Sequence, residues 1–413
     1  MTVGLIGAHE AVAPAVAAIP DRWEVRRFKA VLDRLNERNQ DLAYEMLSLR
    51  STGEIVPRSS LDARQEPDTG SLPRYLVAHA SDLVVNPMWL IGGGIGVSTL
   101  DGAVSPDYRV FRLRNVMNPR FAHYLLRSRP YVDQYVLYTR AQTTFDRRVQ
   151  QGDLDNLPLL IPPLDEQRAI ADYLDRETAR IDTLIAEQQR LVILLQERRR
   201  AVISNAFHRH VPNSRLQHAC IDVVDCPHTT PELGEDGGYE AVRTASVRGG
   251  KFRPGNGIAV NRATWLSRNG ADAPKLGDVL FTREAPAGEA CMVPSENVCL
   301  GQRMVLLRVN SDLCVGRFLL WQIYSDRVQD HFRIAANGST VTNVRLPVLR
   351  TTPIWLPPLG EQYRIVDYLD AQTSKIDTLI AEAERFIELS RERRSALITA
   401  VVTGQIDVRG QVA

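Results

Sequence analysis

The 413 residues exceed what one ordinary core holds and imply two to four units. With 44% hydrophobic and 24% charged residues the composition is globular, and no run of ~18 uninterrupted apolar residues offers a membrane span. Lys+Arg 50 against Asp+Glu 49 leaves a net charge of +1, which speaks against a polycationic binder, although a balanced total can hide separated patches. All the basic residues but Lys29, Lys251, Lys275 and Lys375 are Arg, the side chain suited to bidentate contact with guanine edges and phosphates. A GC-rich genome would enrich Arg in the same way.

In chain order, the first twenty residues are rich in Ala and Val, but His9 and Glu10 and the lack of a basic start fit a loose N-terminal arm better than a cleaved leader. Trp23–Phe28 and Leu83–Val85 read as strands, and Phe121–Leu126 and Pro130–Tyr138 as helices. Gly92-Gly93-Gly94-Ile95-Gly96 has neither GxGxxG nor P-loop spacing and lacks the Lys, so it reads as a turn. Asn86-Pro87-Met88-Trp89 approaches the Asn-Pro-Pro-aromatic tetrapeptide of adenine methyltransferases, but Met stands where the second Pro belongs. Residues 1–160 therefore read as one mixed α and β domain.

Residues 161–210 open a repeat that returns at 356–413. Pro162-Pro163-Leu164-Asp165-Glu166-Gln167 recurs as Pro357-Pro358-Leu359-Gly360-Glu361-Gln362. Asp172-Tyr173-Leu174-Asp175 recurs as Asp367-Tyr368-Leu369-Asp370, and Ile181–Glu187 as Ile376–Glu382. The offset is a constant 195 residues without a gap, and roughly 25 of 42 aligned positions are identical. Two distant copies exclude a solenoid and imply a duplicated module.

The two prolines set an extended entry, and Asp165 and Glu166 place negative charge at a helix start. Apolar residues then recur at three- and four-residue steps through Val202 and Leu397, and Gly404 offers a C-terminal stop. A helix over 178–206 would be roughly 45 Å long. Two copies can bury their stripes on each other as an antiparallel, coiled-coil-like pair with pseudo-twofold symmetry, through Ile181, Leu184, Ile185, Leu191 and Leu195 against Ile376, Leu379, Ile380, Phe386 and Leu397. The alternative is that each helix packs on its own domain. Gln188 and Arg198 interrupt a strict heptad. Glu197-Arg198-Arg199-Arg200 reads as a solvated face or as salt bridges to a partner.

Residues 211–355 form a second mixed domain, with Val279–Arg283 and Met304–Leu307 as strands and Phe318–His331 as a helix. All five cysteines lie in the second half without a CxxC pair, so neither a disulfide framework nor a zinc ribbon is expected, and a reducing cytoplasm fits. No HExxH, GxSxG or nucleotide-binding signature is present, and no metal site is expected.

The doubled module with Pro-Pro-Leu-x-Glu-Gln, Tyr-Leu-Asp and Ile-Asp-Thr-Leu-Ile-Ala-Glu, ending in Val402-Thr403-Gly404-Gln405-Ile406-Asp407, resembles the specificity subunit of type I restriction-modification systems over nearly its whole length. Ser105-Pro106-Asp107-Tyr108, Asp146-Arg147-Arg148, Cys226–Pro231, Gly277–Arg283 and Asn337–Thr340 add to the resemblance. It implies an α+β chain in which residues 1–160 and 211–355 are two α/β target recognition domains joined by the conserved spacer helices. It further implies a cytoplasmic, non-catalytic subunit that reads a bipartite site on double-stranded DNA. Two methyltransferase subunits and a motor-nuclease subunit would be its partners. S-adenosylmethionine, ATP and Mg would be used by those partners, with no cofactor held by this chain.

Base edges call for Arg, Asn, Gln, Ser, Thr or similar groups on exposed loops. The candidates are Arg147 and Arg148 in the first domain, and His228, Thr229, Thr230, Arg283, Asn337, Ser339, Thr340 and Asn343 in the second. For any one of them a turn, cap or surface role is an equal alternative. Two other functions stay open: a solitary DNA-modifying enzyme with an unrecognised active site, and a scaffold whose domains bind protein.

Overall fold

The computed structural model describes residues 11–62, 69–139, 148–234, 238–270, 273–336 and 343–410. It divides into two compact units, Met1–Glu187 with Phe386–Ala413, and Gln188–Arg385. The division cuts both repeat helices, so each unit holds one head together with a stretch of each helix.

The head of the first unit runs α1 (Ala13–Ala17), β1 (Glu24–Arg27), α2 (Phe28–Val31), β2 (Leu32–Leu35), β3 (Leu47–Leu49), β4 (Ile55–Pro57), β5 (Leu76–Ala78), β6 (Leu83–Val85), β7 (Ile95–Val97), β8 (Gly102–Val104), β9 (Arg109–Leu113), α3 (Pro119–Arg127), α4 (Arg129–Tyr138), α5 (Gln151–Asn156) and β10 (Pro158–Ile161). Its main sheet is antiparallel in the order β2-β9-β6-β7, and β1 pairs with β10. Leu83, Val84 and Val85 are all fully buried, because Leu83 and Val85 enter one apolar cluster and Val84 another. A strand covered on both faces reads as a continuous apolar run. The expected loose arm is corrected from residue 11 onward. Val12 and Ala15 are buried in the head's core, and the Val12 amide donates to Gln134 Oε1 at 3.3 Å.

The head of the second unit runs, after helix α6 (Leu164–His208), β11 (Ser214–Arg215), β12 (Cys220–Asp225), β13 (Tyr239–Val242), β14 (Val247–Arg248), β15 (Lys251–Phe252), β16 (Ile258–Val260), α7 (Arg262–Asn269), β17 (Val279–Thr282), β18 (Ala290–Met292), β19 (Val298–Leu300), β20 (Met304–Val309), α8 (Gly316–Ile323), α9 (Asp326–Ala336), α10 (Leu346–Thr351) and β21 (Pro353–Ile354). The helix expected over Phe318–His331 is two helices. They are parted at Ser325, whose hydroxyl donates to the Gln322 carbonyl at 2.6 Å. The main sheet, β12-β20-β17-β18, is again antiparallel, and β11 pairs with β21.

The four-stranded main sheet and the pairing of first and last strand repeat those of the first head, with α8, α9 and α10 following the sheet as α3, α4 and α5 do. The remaining strands pair differently, as β3-β4 and β5-β8 in the first head and as β16-β13-β19 and β14-β15 in the second. The duplication therefore extends to the heads, whose sequences show little trace of it.

The repeat helices are α6, 45 residues, and α11 (Leu359–Val402), 44 residues. At 1.5 Å per residue each is about 66 Å long, longer than expected, because helical structure starts directly after the paired prolines. The added first turns are not solvent-exposed spacer: Ile170 and Leu174 lie in the first head's core, and Val366 and Leu369 in the second's.

Within the first unit those residues share the core with Val401 and Val402 at the end of α11. Within the second, Val366 and Leu369 share it with Ile203 and Phe207 at the end of α6. In each unit the start of one helix lies with the end of the other, which is antiparallel pairing. Gly404, at φ 76°, ends α11, and the Gln405 and Ile406 amides donate to the Ala400 carbonyl.

The least exposed positions follow steps of four and three: Leu174, Thr178, Ile181 and Ile185 in the first unit, Leu369, Thr373, Ile376, Ile380 and Ala383 in the second. Ile181, Leu195 and Ile376 are buried, and Ile185, Ile380 and Leu397 half-buried. Leu184 (38% exposed), Leu191 (41%), Leu379 (49%) and Phe386 (42%) lie beside this seam rather than in it.

Arg199 occupies a seam position and donates from Nε to Asp377 at 2.8 Å in the second unit. In the first unit Arg394 Nε lies 2.9 Å from Asp182. The 195-residue offset maps Asp182 onto Asp377 and Arg199 onto Arg394, so the two ion pairs are one pair written twice. Part of the Glu-Arg-Arg-Arg segment thus forms salt bridges inside the chain; Arg200 pairs with Asp326 as well.

Candidate nucleic-acid interface

The repeat motifs fasten each head to its helix. Gln167 is fully buried: its Oε1 accepts from the Asn118 amide at 2.7 Å, and its Nε2 donates to the Val116 and Pro162 carbonyls at 2.9 and 2.8 Å. Gln362 repeats this, accepting from the Val315 amide at 2.8 Å and donating to the Leu313 and Pro357 carbonyls at 2.8 and 2.7 Å. Asp175 holds Arg120 at 2.6 Å and the Tyr124 hydroxyl at 2.7 Å. Asp370 holds Arg317 at 3.0 Å and the Trp321 indole N–H at 2.7 Å. The most repeated residues are anchors, and the surface that meets a ligand must be sought elsewhere.

In the second head three adjacent segments leave one end of the main sheet. They follow β12 (Cys226–Thr230), precede β20 (Gln302–Arg303) and follow β17 (Arg283–Ala287). Loops on a rigid sheet are the usual bearers of recognition. His228, Thr229 and Thr230 are exposed here. The loop is pinned from below by Arg268, which donates to the Pro227 and Thr229 carbonyls at 3.2 Å, and by Gln302, which donates to Thr230 Oγ1 at 3.2 Å. Cys226 is buried and its thiol is pushed up by burial, whereas the His228 side chain is 76% exposed, so the two do not converge on a metal. Among the described residues no group of three or more His, Cys, Asp or Glu could hold a metal ion.

Arg283 sits at this end but is only 16% exposed. Its Nη1 donates to both oxygens of Asp225, at 2.8 and 2.9 Å. Asn343 donates from Nδ2 to Glu284 at 2.6 Å, and its Oδ1 is buried without a partner. Both residues build the platform more than its surface.

The first head offers the same end. The Val149 amide donates to the Pro87 carbonyl as the Val344 amide does to Arg283. This places Arg148 where the second head has Asn343. Arg148 is exposed, 3.9 Å from Asp107. Beside it lie Met88 and Trp89, 45% and 59% exposed, and Tyr108, which burial pushes up despite its hydrogen bond to Asn86. Arg147, Asn337, Ser339 and Thr340 lie outside the described residues.

Sequence reading passed over Gln302 and Arg303, which no local motif marks. It noted Trp89 only within the near-match Asn86-Pro87-Met88-Trp89 and Tyr108 only within Ser105-Pro106-Asp107-Tyr108; the strand order is what brings them to the sheet end. Nor does the net charge of +1 reveal that the second unit holds a groove of about 630 Å³ lined by Arg199, Arg200, Arg248, Lys251, Arg253 and Arg333. Its acidic counterweight includes Asp377, which takes Arg199 and Lys251 at 2.8 Å each.

Comparison with known proteins follows the same lines. The family model described as "Type I restriction modification DNA specificity domain" matches residues 225–386. The EcoBI type I restriction enzyme specificity subunit of Escherichia coli is 32% identical over 114 residues, 27% of this chain and 23% of that one, so that match spans under a quarter of the relative's length. A chain named as the MjaX type I restriction enzyme specificity subunit of Methanocaldococcus jannaschii is 20% identical over 95% of this chain and 96% of its own.

Among solved structures, a chain from work on complex assembly and conformational transition of the type I R-M system superposes with a TM-score of 0.71 at 18% identity, covering 94% of this chain and 99% of that one. The HsdS subunit from Thermoanaerobacter tengcongensis gives 0.51 at 19%, covering 94% and 98%. At such identities these two establish the fold. With the DNA specificity domain matching residues 225–386, most of the second head, the chain is similar to the specificity subunits of type I restriction-modification systems and shares the fold of the two solved chains.

Proposed function

We propose that this chain reads a bipartite double-stranded DNA site, one half with each head, and directs adenine methylation and DNA cleavage that partner subunits carry out. The observation that carries the reading is the repeated sheet end. Two heads with one main-sheet topology present corresponding loops of unlike sequence, as two readers of two unlike half-sites would. On this reading the chain supplies no catalytic group of its own, and S-adenosylmethionine, ATP and Mg belong to the partners. Among the described residues no helix is long and apolar enough to cross a membrane.

The exposed flanks of the helices support two copies of one partner. Leu184, Phe386 and Leu389 are exposed in the first unit, and their repeat mates Leu379, Leu191 and Leu194 are exposed in the second. Two equivalent apolar surfaces suit two equivalent methyltransferase subunits.

The purified full chain, alone or with its methyltransferase partner, is expected to bind duplex DNA with a steep inverse dependence on salt, and to bind most tightly to two half-sites at one fixed spacing. Equal binding to one contiguous site, whatever the spacing, overturns the proposal.

A further inference from the structure

Arg303 immediately precedes β20, the strand that lies between β12 and β17 in the sheet of the second head. Its backbone is fixed on both sides: its own carbonyl accepts from the Arg283 amide at 2.9 Å, and the next carbonyl, of Met304, accepts from the Cys226 amide at 3.2 Å. Its φ is 67°, in the left-handed region that a residue with a Cβ rarely adopts. Ala285, in the segment that follows the neighbouring strand β17, has φ 48°, so two non-glycine residues in this region lie in segments at the same end of one sheet. Such conformations persist where the surroundings over-determine them, and they gather at functional sites.

The side chain does not account for the strain. It is 56% exposed, and its Nε lies 3.3 Å from Glu284, a carboxylate shared with Asn343. A carboxylate on Nε orients a guanidinium without using the edge between its two Nη groups. That edge is the fork that matches O6 and N7 of guanine. Arg283 cannot serve in this way, since Asp225 occupies its Nη1.

We infer that Arg303 is the specificity-determining residue of the second head, presenting its guanidinium to a guanine edge in the half-site that this head reads, with the Pro227–Thr230 loop beside it. This rests on the DNA-reading function proposed above.

The test is to map methylated adenines in cells carrying the full-length gene and its methyltransferase partner, comparing the wild type with Arg303→Gly and Arg303→Lys. Glycine suits a φ of 67° and removes only the side chain, so Arg303→Gly is expected to fold at least as well as the wild type. Arg303→Gly is expected to lose preference for guanine at one position of one half-site by about tenfold or more, and Arg303→Lys, which keeps a donor but not the planar fork, by less, with the other half-site and the spacing unchanged. An unchanged motif in a thermally stable Arg303→Gly chain overturns the inference, as does weaker methylation at every site with no change of sequence preference. A wild-type chain that directs no bipartite motif overturns the DNA-reading function itself, which separates the two failures.

Discussion

Gln362→Ala tests the claim that the repeat motif is an anchor. The substitution leaves the Val315 N–H and the Leu313 and Pro357 carbonyls without their partner at a site where Gln362 is 0% exposed. An orphaned buried polar group costs about 1–3 kcal/mol, and water entering the vacated volume returns part of it, so a net loss of about 3 kcal/mol is expected. For a unit of this size that lowers the melting temperature by about 6–12 °C. Gln167→Ala should cost the first unit a similar amount, since its three bonds are the same. The two losses should add within about 0.5 kcal/mol, because the sites share no partner. Urea unfolding followed by circular dichroism measures them, with the exposed Gln189→Ala as a control expected within about 0.5 kcal/mol of wild type. A loss below about 0.5 kcal/mol for Gln362→Ala would refute the anchoring role.

Three further outcomes are expected. Arg283→Ala should lower stability by about 1–3 kcal/mol in urea unfolding, less than for a fully buried pair because Asp225 is 27% exposed; unchanged stability with lost DNA binding would instead make Arg283 a base reader. His123 is pushed down to about 4, first by burial and then by the Arg127 charge, so it is neutral in the folded first unit. The unfolded chain, with His near 6.5, binds the extra proton between the two values; the His123 contribution is therefore present above about 6.5 and lost as pH falls toward 4, by about 3 kcal/mol at most. His123→Leu should flatten the stability–pH profile over that window, and an identical profile would count against it. Arg253→Ala, in the basic groove, should reduce the slope of log binding constant against log salt by about 1 in a titration of the full chain; an unaltered slope would exclude a phosphate contact there.

The repeat was legible because its residues serve the same backbone in both units. Gln167 and Gln362 must each reach one amide and two carbonyls, and no other side chain of that size both donates and accepts in this way. The heads were not legible as copies. A buried strand asks only for apolar volume, which Leu83-Val84-Val85 and Val279-Leu280-Phe281 supply equally.

Their polar anchors also change identity while keeping the task. Tyr124 and Trp321 both donate to the repeat aspartate. Arg127 ties Ser51 to Gly93 and Ile95, much as the Tyr324 hydroxyl ties Gly250 to Ala290. The helix seam was blurred because leucines stand on its flank as well as in it, and periodicity does not rank two adjacent stripes. Arg283 was attractive as a free arginine after a strand; its partner Asp225 lies 58 residues away, which no local reading sees.

The central claim is that two copies of one fold read two unlike half-sites for a methyltransferase. Adenine methylation mapped across the genome of the host, with the gene intact and deleted, tests it most directly. The expected result is a single split motif with a fixed unread gap, present only when the gene is intact. A motif that survives the deletion, or one without a gap, contradicts it.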